Sequence, residues 1–143
     1  PAASGQDDYD AVLAEVGIVV ANAPTGAVML GDAEFCGWEQ LGPMAGGTNR
    51  IDPAGRRCFV EAHLDGRSAL FLVDALTNEG DPTPYIYRTD GGHVTELADF
   101  TRDNYGTKAW RVEPCDTLYF ASYDTESPAR LAFSCYPFDE GGQ

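Results

Sequence analysis

Apolar residues at Tyr9, Val12, Leu13, Val16 and Val20 recur with a 3.6-residue period behind Asp7 and Asp8. The spacing predicts a first helix with an acidic cap. Gly17 and the β-branched run Ile18-Val19-Val20 weaken the pattern. A strand over 18–21, turning at Asn22-Ala23-Pro24-Thr25-Gly26 into a second strand over 27–30, competes with the end of that helix. Over 31–50 the pairs Gly42-Pro43 and Gly46-Gly47 break any period, which predicts an irregular loop. A second helix is then signalled by Asp52 as N-cap, Pro53 at the first helical position and Gly66 at the C-terminal glycine position. Its buried face would hold Cys58, Phe59 and Ala62.

Beyond it, runs over 68–76, 84–89, 93–98, 109–112, 118–122 and 130–135 alternate as strands do, with Gly, Pro, Asp and Asn between them. Asp90-Gly91 is the tightest turn, because both residues tolerate positive φ in a two-residue hairpin. That register sets Arg88 opposite His93, Tyr87 opposite Val94 and Tyr85 opposite Glu96. The expected fold is α+β, an antiparallel sheet of five to six strands against one or two helices, stapled by two disulfides. Residues 1–6 are expected to be a flexible tether, 7–139 a single domain and 140–143 a disordered tail.

The four cysteines sharpen this picture. Cys36, Cys58, Cys115 and Cys135 are separated by 21, 56 and 19 residues, so no C-x-x-C knuckle exists for zinc or redox chemistry. An even count at long spacing reads as two disulfides and an oxidising, extracellular or cell-envelope location. A final hairpin would bring Cys115 near Cys135, favouring Cys36–Cys58 with Cys115–Cys135. The interlocked pairing Cys58–Cys115 with Cys36–Cys135 stays open.

Charge excludes a class of partner. Twenty-three acidic residues against nine basic ones give a net charge of −14 in 143 residues, which repels polyphosphate, so no nucleic acid is expected to bind. No apolar run reaches membrane-spanning length, and there is no signal-peptide pattern at the start. The small polar segment 1–6 resembles the tether after a cleaved signal or a lipidated cysteine, so lipid tethering of a longer form is an expectation.

Arg57-Cys58-Phe59 with Ala62, Gly66-Arg67, Glu79-Gly80-Asp81-Pro82, Tyr85 to Arg88, Asp99, Arg102-Asp103, Tyr105-Gly106, Trp110 and Cys115 carry a likeness. Over these residues the chain resembles a family of small exported or lipid-anchored proteins of GC-rich Gram-positive bacteria. The family has no established activity. The resemblance implies location and a helix-plus-sheet module, with no catalytic residue to carry over.

Candidate chemistry is sparse. Glu79 and Asp81 read as turn residues before they read as cation ligands, and Asp99, Asp103 and Asn104 lack the spacing of a calcium loop. Asp103 is expected to accept backbone N–H bonds before Gly106. Of two histidines, His63 is expected half-buried on the second helix and His93 exposed at a strand start. A ribonuclease-like set of Glu96, His93 and Arg88 fails, because Arg88 and His93 share one sheet face while Glu96 points to the other. There is no serine elbow, phosphate loop or free thiol to act as nucleophile. No metal or cofactor is expected. Tyr85, Tyr87, Tyr119 and Tyr123 alternate on strands, and Tyr85 and Tyr87 with Arg88 and His93 form the candidate interaction surface. The expected function is a non-enzymatic binding module for a protein or small ligand. A small extracellular hydrolase, or an inhibitor presenting the 31–50 loop, is the alternative.

Overall fold

A computed structural model describes residues 5–41, 50–77 and 79–115. Helix α1 (Gln6–Val16) buries Tyr9, Val12, Leu13 and Val16, four of the five positions of the expected period; the fifth, Val20, lies beyond its end in a 3-10 turn. It starts inside the expected tether, with Gly5 rather than Asp7 or Asp8 as N-cap, and the two aspartates occupy its first turn. Gly17 ends it in the left-handed conformation. The competing hairpin over 18–30 does not form. Two single 3-10 turns, Val20–Asn22 and Gly26–Val28, take its place and lay Val28 and Leu30 into the core.

The chief departure from expectation is strand β1 (Glu34–Leu41), inside the segment read as irregular. Its pairing with β2 (Ala69–Leu76) is parallel, and the register shifts between Phe35 and Gly37, making Cys36 the extra residue of a bulge. The bulge hides the strand from a period-two reading. Phe35 and Trp38, three apart, pack against the same core cluster. Between the parallel strands runs α2 (Pro53–Asp65), with Asp52 as N-cap and Gly66 as C-cap, as the sequence predicts.

The sheet continues antiparallel through β3 (Pro82–Asp90), β4 (His93–Asp99) and β5 (Trp110–Cys115), in the order β1-β2-β3-β4-β5. It is therefore a five-stranded mixed sheet with two helices among the described residues, and not the all-antiparallel sheet expected. The expected strands over 118–122 and 130–135 and the tail over 140–143 lie outside the described residues.

The hairpin between β3 and β4 turns at Gly91-Gly92, both at positive φ (55° and 87°), one residue beyond the expected Asp90-Gly91. Asp90 faces His93, Arg88 faces Thr95, Tyr87 faces Glu96 and Tyr85 faces Ala98. The shift changes every pair yet leaves each residue on its expected face, because moving the turn by one residue moves each partner by two, and side chains alternate with that period.

Six consecutive β2 residues from Ala69 are buried, since the strand is covered on both sides. Leu70 and Leu72 join the α1 cluster, and Ala69, Phe71 and Val73 join Phe59, Val60 and Ala62 of α2. One disulfide, Cys36–Cys58, fastens the β1 bulge to α2 and rules out the interlocked pairing. Cys115 is disulfide-bonded too, and its expected partner Cys135 lies outside the described residues.

The start of α2 is fixed by polar groups. Asp52 Oδ1 accepts from Gly55 N at 2.9 Å, its Oδ2 accepts from Trp38 N at 3.2 Å, and its own N–H donates to Glu39 Oε2 at 3.2 Å. Arg56 donates through Nη2 to Glu39 Oε1 at 2.9 Å and through Nε to Oε2, with both side chains buried. An unpaired charge here would be prohibitive, so β1 and α2 are bound to one geometry.

Candidate functional site

The contacts of α2 concentrate on β1, β2 and β3. Val94 of β4 continues the α2 cluster, and beyond it the same sheet face of β4 and β5 carries mainly polar and aromatic side chains. Tyr87, Glu96 and Glu113 lie in one cross-strand row, with Tyr85, Ala98 and Arg111 in the next. The Tyr87 hydroxyl donates to Glu96 Oε2 at 3.0 Å, and Arg111 Nη2 donates to Glu96 Oε1 at 3.1 Å. Arg111 Nε also lies 3.5 Å from Glu113 Oε2. Its guanidinium carbon stands 5.0 Å from the Phe100 ring centroid. Phe100 meets Tyr85 edge-on at 5.9 Å, and Tyr85 stacks on Tyr87 at 6.3 Å.

The arrangement is graded in depth. Tyr87 and Glu96 are buried, while Tyr85, Phe100, Arg111 and Glu113 are half-buried. Burial pushes the Glu96 carboxyl above the usual carboxylate range, opposed by the Tyr87 hydroxyl and by Arg111. Tyr87 is raised well above the usual phenol value by burial first and then by the neighbouring Glu96 charge. At neutral pH the phenol therefore remains a donor. The group can orient an arginine and three aromatic rings, but Glu96 is too enclosed to meet a substrate.

The four residues of the expected surface do not form one surface. Tyr85 is half-buried beside Phe100, and Tyr87 lies in the core. Arg88 points to the α1 side, where Nη1 donates to the carbonyls of Ala27 and Met29 at 3.0 and 2.6 Å and Nε pairs with Asp90 at 2.8 Å. It anchors the segment after α1. His93 is exposed at the hairpin. Tyr119 and Tyr123 lie outside the described residues. Sequence reasoning missed Phe100, Arg111 and the Glu96–Tyr87 pair; a Gly91-Gly92 turn, with two residues free to take positive φ, is the signal that would have set Tyr87 opposite Glu96.

Other candidate groups hold structural partners. His63 Nδ1 lies 3.2 Å from Thr89 Oγ1. Asp103 Oδ1 accepts from Tyr105 N at 3.0 Å, as the turn predicts, and Asp99 Oδ1 accepts from Thr101 N and Oγ1 at 3.0 and 2.6 Å. Asp81 receives the backbone and amide N–H groups of Asn104 at 2.9 and 3.2 Å, clasping the β2–β3 turn to the β4–β5 loop. In that loop Arg102 Nη2 donates to Val16 O at 2.9 Å and closes the end of α1, whose last turn has no basic residue.

No helix among the described residues is long and apolar enough to cross a membrane. No family model matches the chain, and searches of curated proteins and of solved structures find no match either.

Proposed function

We propose that this protein is an exported or envelope-tethered binding module that recognises a protein or small ligand through the β3–β5 part of the sheet face, centred on Tyr85, Phe100, Arg111 and Glu113. The supporting observation is Arg111 lying on the Phe100 ring while Glu96 holds its guanidinium from beneath. Arginine and tyrosine are the residues that dominate interface energetics, and ones held by packing lose less entropy on binding. A charged group fixed over an aromatic ring also offers a flat, polar-edged platform suited to a sugar ring or a peptide side chain.

The hydrolase alternative lacks convergence. Arg88 and His93 belong to the face opposite Glu96, which leaves the raised carboxyl without a histidine or a phosphate clamp from that pair. The inhibitor alternative relied on a presented 31–50 loop, of which Glu34–Leu41 is a sheet strand and 42–49 lie outside the described residues.

Chemical-shift mapping tests the proposal. Soluble cell-wall oligosaccharides and extracellular-domain peptides are titrated into labelled protein. Saturable shifts centred on Phe100 and Arg111, abolished by Arg111→Ala, are expected. Saturable shifts centred on His93 or α1 instead would assign recognition to another surface.

A further inference from the structure

Glu34 precedes the β1 bulge and sends Oε2 to within 3.3 Å of Cys58 Sγ, while Oε1 pairs with Arg67 at 2.5 Å. One Glu34 oxygen and the sulfurs of Cys36 and Cys58 lie within 4.8 Å of one another, and all three residues are half-buried. In the disulfide the sulfurs carry no proton and no thiolate charge, so the carboxylate only touches Cys58 Sγ. Reduction alters the donor set without removing what holds it. Cys36 is flanked by the β1–β2 ladder and by the Trp38 N–H bond to Asp52, and Cys58 adjoins the fully buried Phe59. Their Cα atoms stand 5.5 Å apart. Zinc–sulfur bonds of about 2.3 Å and zinc–oxygen bonds of about 2.0–2.2 Å require the two sulfurs, covalently joined here, to move apart on reduction, which Cα atoms at this separation allow by side-chain rotation.

We propose that, once the disulfide is reduced, Glu34, Cys36 and Cys58 form a three-ligand site for a thiophilic divalent cation of the Zn2+ class, its fourth position open to solvent. A dithiol reductant passes two electrons to the Cys36–Cys58 bond and closes to its own disulfide. The cysteines gain its two protons as thiols. The cation then binds both as thiolates and releases the two protons, and Glu34 supplies the oxygen ligand while Arg67 holds its other oxygen.

The test uses the full chain reduced with a phosphine, which takes its oxygen from water to become the oxide while the water's two protons go to the thiols, and Co2+ as a coloured substitute for Zn2+. Reduced wild type is expected to develop sulfur-to-cobalt charge-transfer absorption, and the Cys36→Ser/Cys58→Ser variant to lose one cobalt equivalent. Glu34→Gln should bind at least about tenfold more weakly, since even outer-shell partners matter by that factor. Equal cobalt uptake by wild type and the double serine variant would overturn the site. Undiminished affinity in Glu34→Gln would overturn the three-ligand assignment. A reduced chain that loses its helical circular dichroism and does not regain it with Co2+ would also overturn it.

Discussion

Tyr87 and Glu96 meet across the β3–β4 pair, hydroxyl to carboxyl at 3.0 Å, and the opposite oxygen of the same carboxyl carries Arg111. A core phenol thus determines where a half-buried guanidinium stands. Tyr87→Phe removes the donor and leaves a buried carboxyl oxygen short of a partner. The expected loss is about 1–3 kcal/mol of stability, read from urea unfolding, with the fold retained. An unchanged midpoint would show that the hydroxyl does not support Glu96.

Glu39 and Arg56 fasten β1 to α2 with both charges out of water. Glu39→Gln removes the countercharge that faces the buried guanidinium, and the expected cost is about 3–5 kcal/mol in chemical denaturation. Replacing both residues with apolar ones of similar volume should recover much of that loss, because the desolvation penalty disappears with the charges.

Gly55 lies inside α2, where alanine would ordinarily gain about 1 kcal/mol of helix propensity. Here a Cβ would stand 2.7 Å from Asp52 Oδ2 and 2.8 Å from the Phe71 ring. Overpacking of about 1–3 kcal/mol outweighs the gain. Gly55→Ala should therefore lower the thermal midpoint, and a rise would show that the Asp52 clasp yields easily.

Asp74, at the carboxyl end of β2, is 5% exposed; its Oδ2 accepts from Gln40 Nε2 at 3.0 Å, and Oδ1 has no hydrogen-bond partner among the described residues. Burial raises its pKa, opposed by the Gln40 hydrogen bond and Arg102, while Glu15 adds to the rise. A carboxyl whose folded pKa exceeds its unfolded value binds protons better when folded. It contributes most below the unfolded value of about 3.9, and stability is lost as pH rises through the folded one. Asp74→Asn should remove this loss, so its thermal midpoint should gain on wild type as pH rises from about 4 toward neutrality. Parallel midpoint curves across that range would contradict the assignment.

The helices were legible because each carries a local signal: the spacing of Tyr9, Val12, Leu13 and Val16, and the Asp52-Pro53 to Gly66 bracket. The β3–β4 hairpin was legible from adjacency and a turn of residues that tolerate positive φ, one residue short of where it falls. Strand β1 was not legible, because its partner is parallel and remote in sequence and its bulge at Cys36 breaks alternation. The site was half legible. Tyr85 stood out by composition, whereas the value of Arg111 depends on register with Ala98 and on a ring, Phe100, beyond the end of β4.

The central claim, a binding surface around Tyr85 and Phe100, is tested most directly by site-specific photocrosslinking. A benzophenone amino acid is placed singly at Tyr85, at Phe100, or at Leu64, which is exposed on α2, and each protein is irradiated on intact cell envelopes. The account predicts a discrete crosslinked species from positions 85 and 100 that Arg111→Ala suppresses, and none from 64. Crosslinking from 64 with none from 85 or 100 would contradict it.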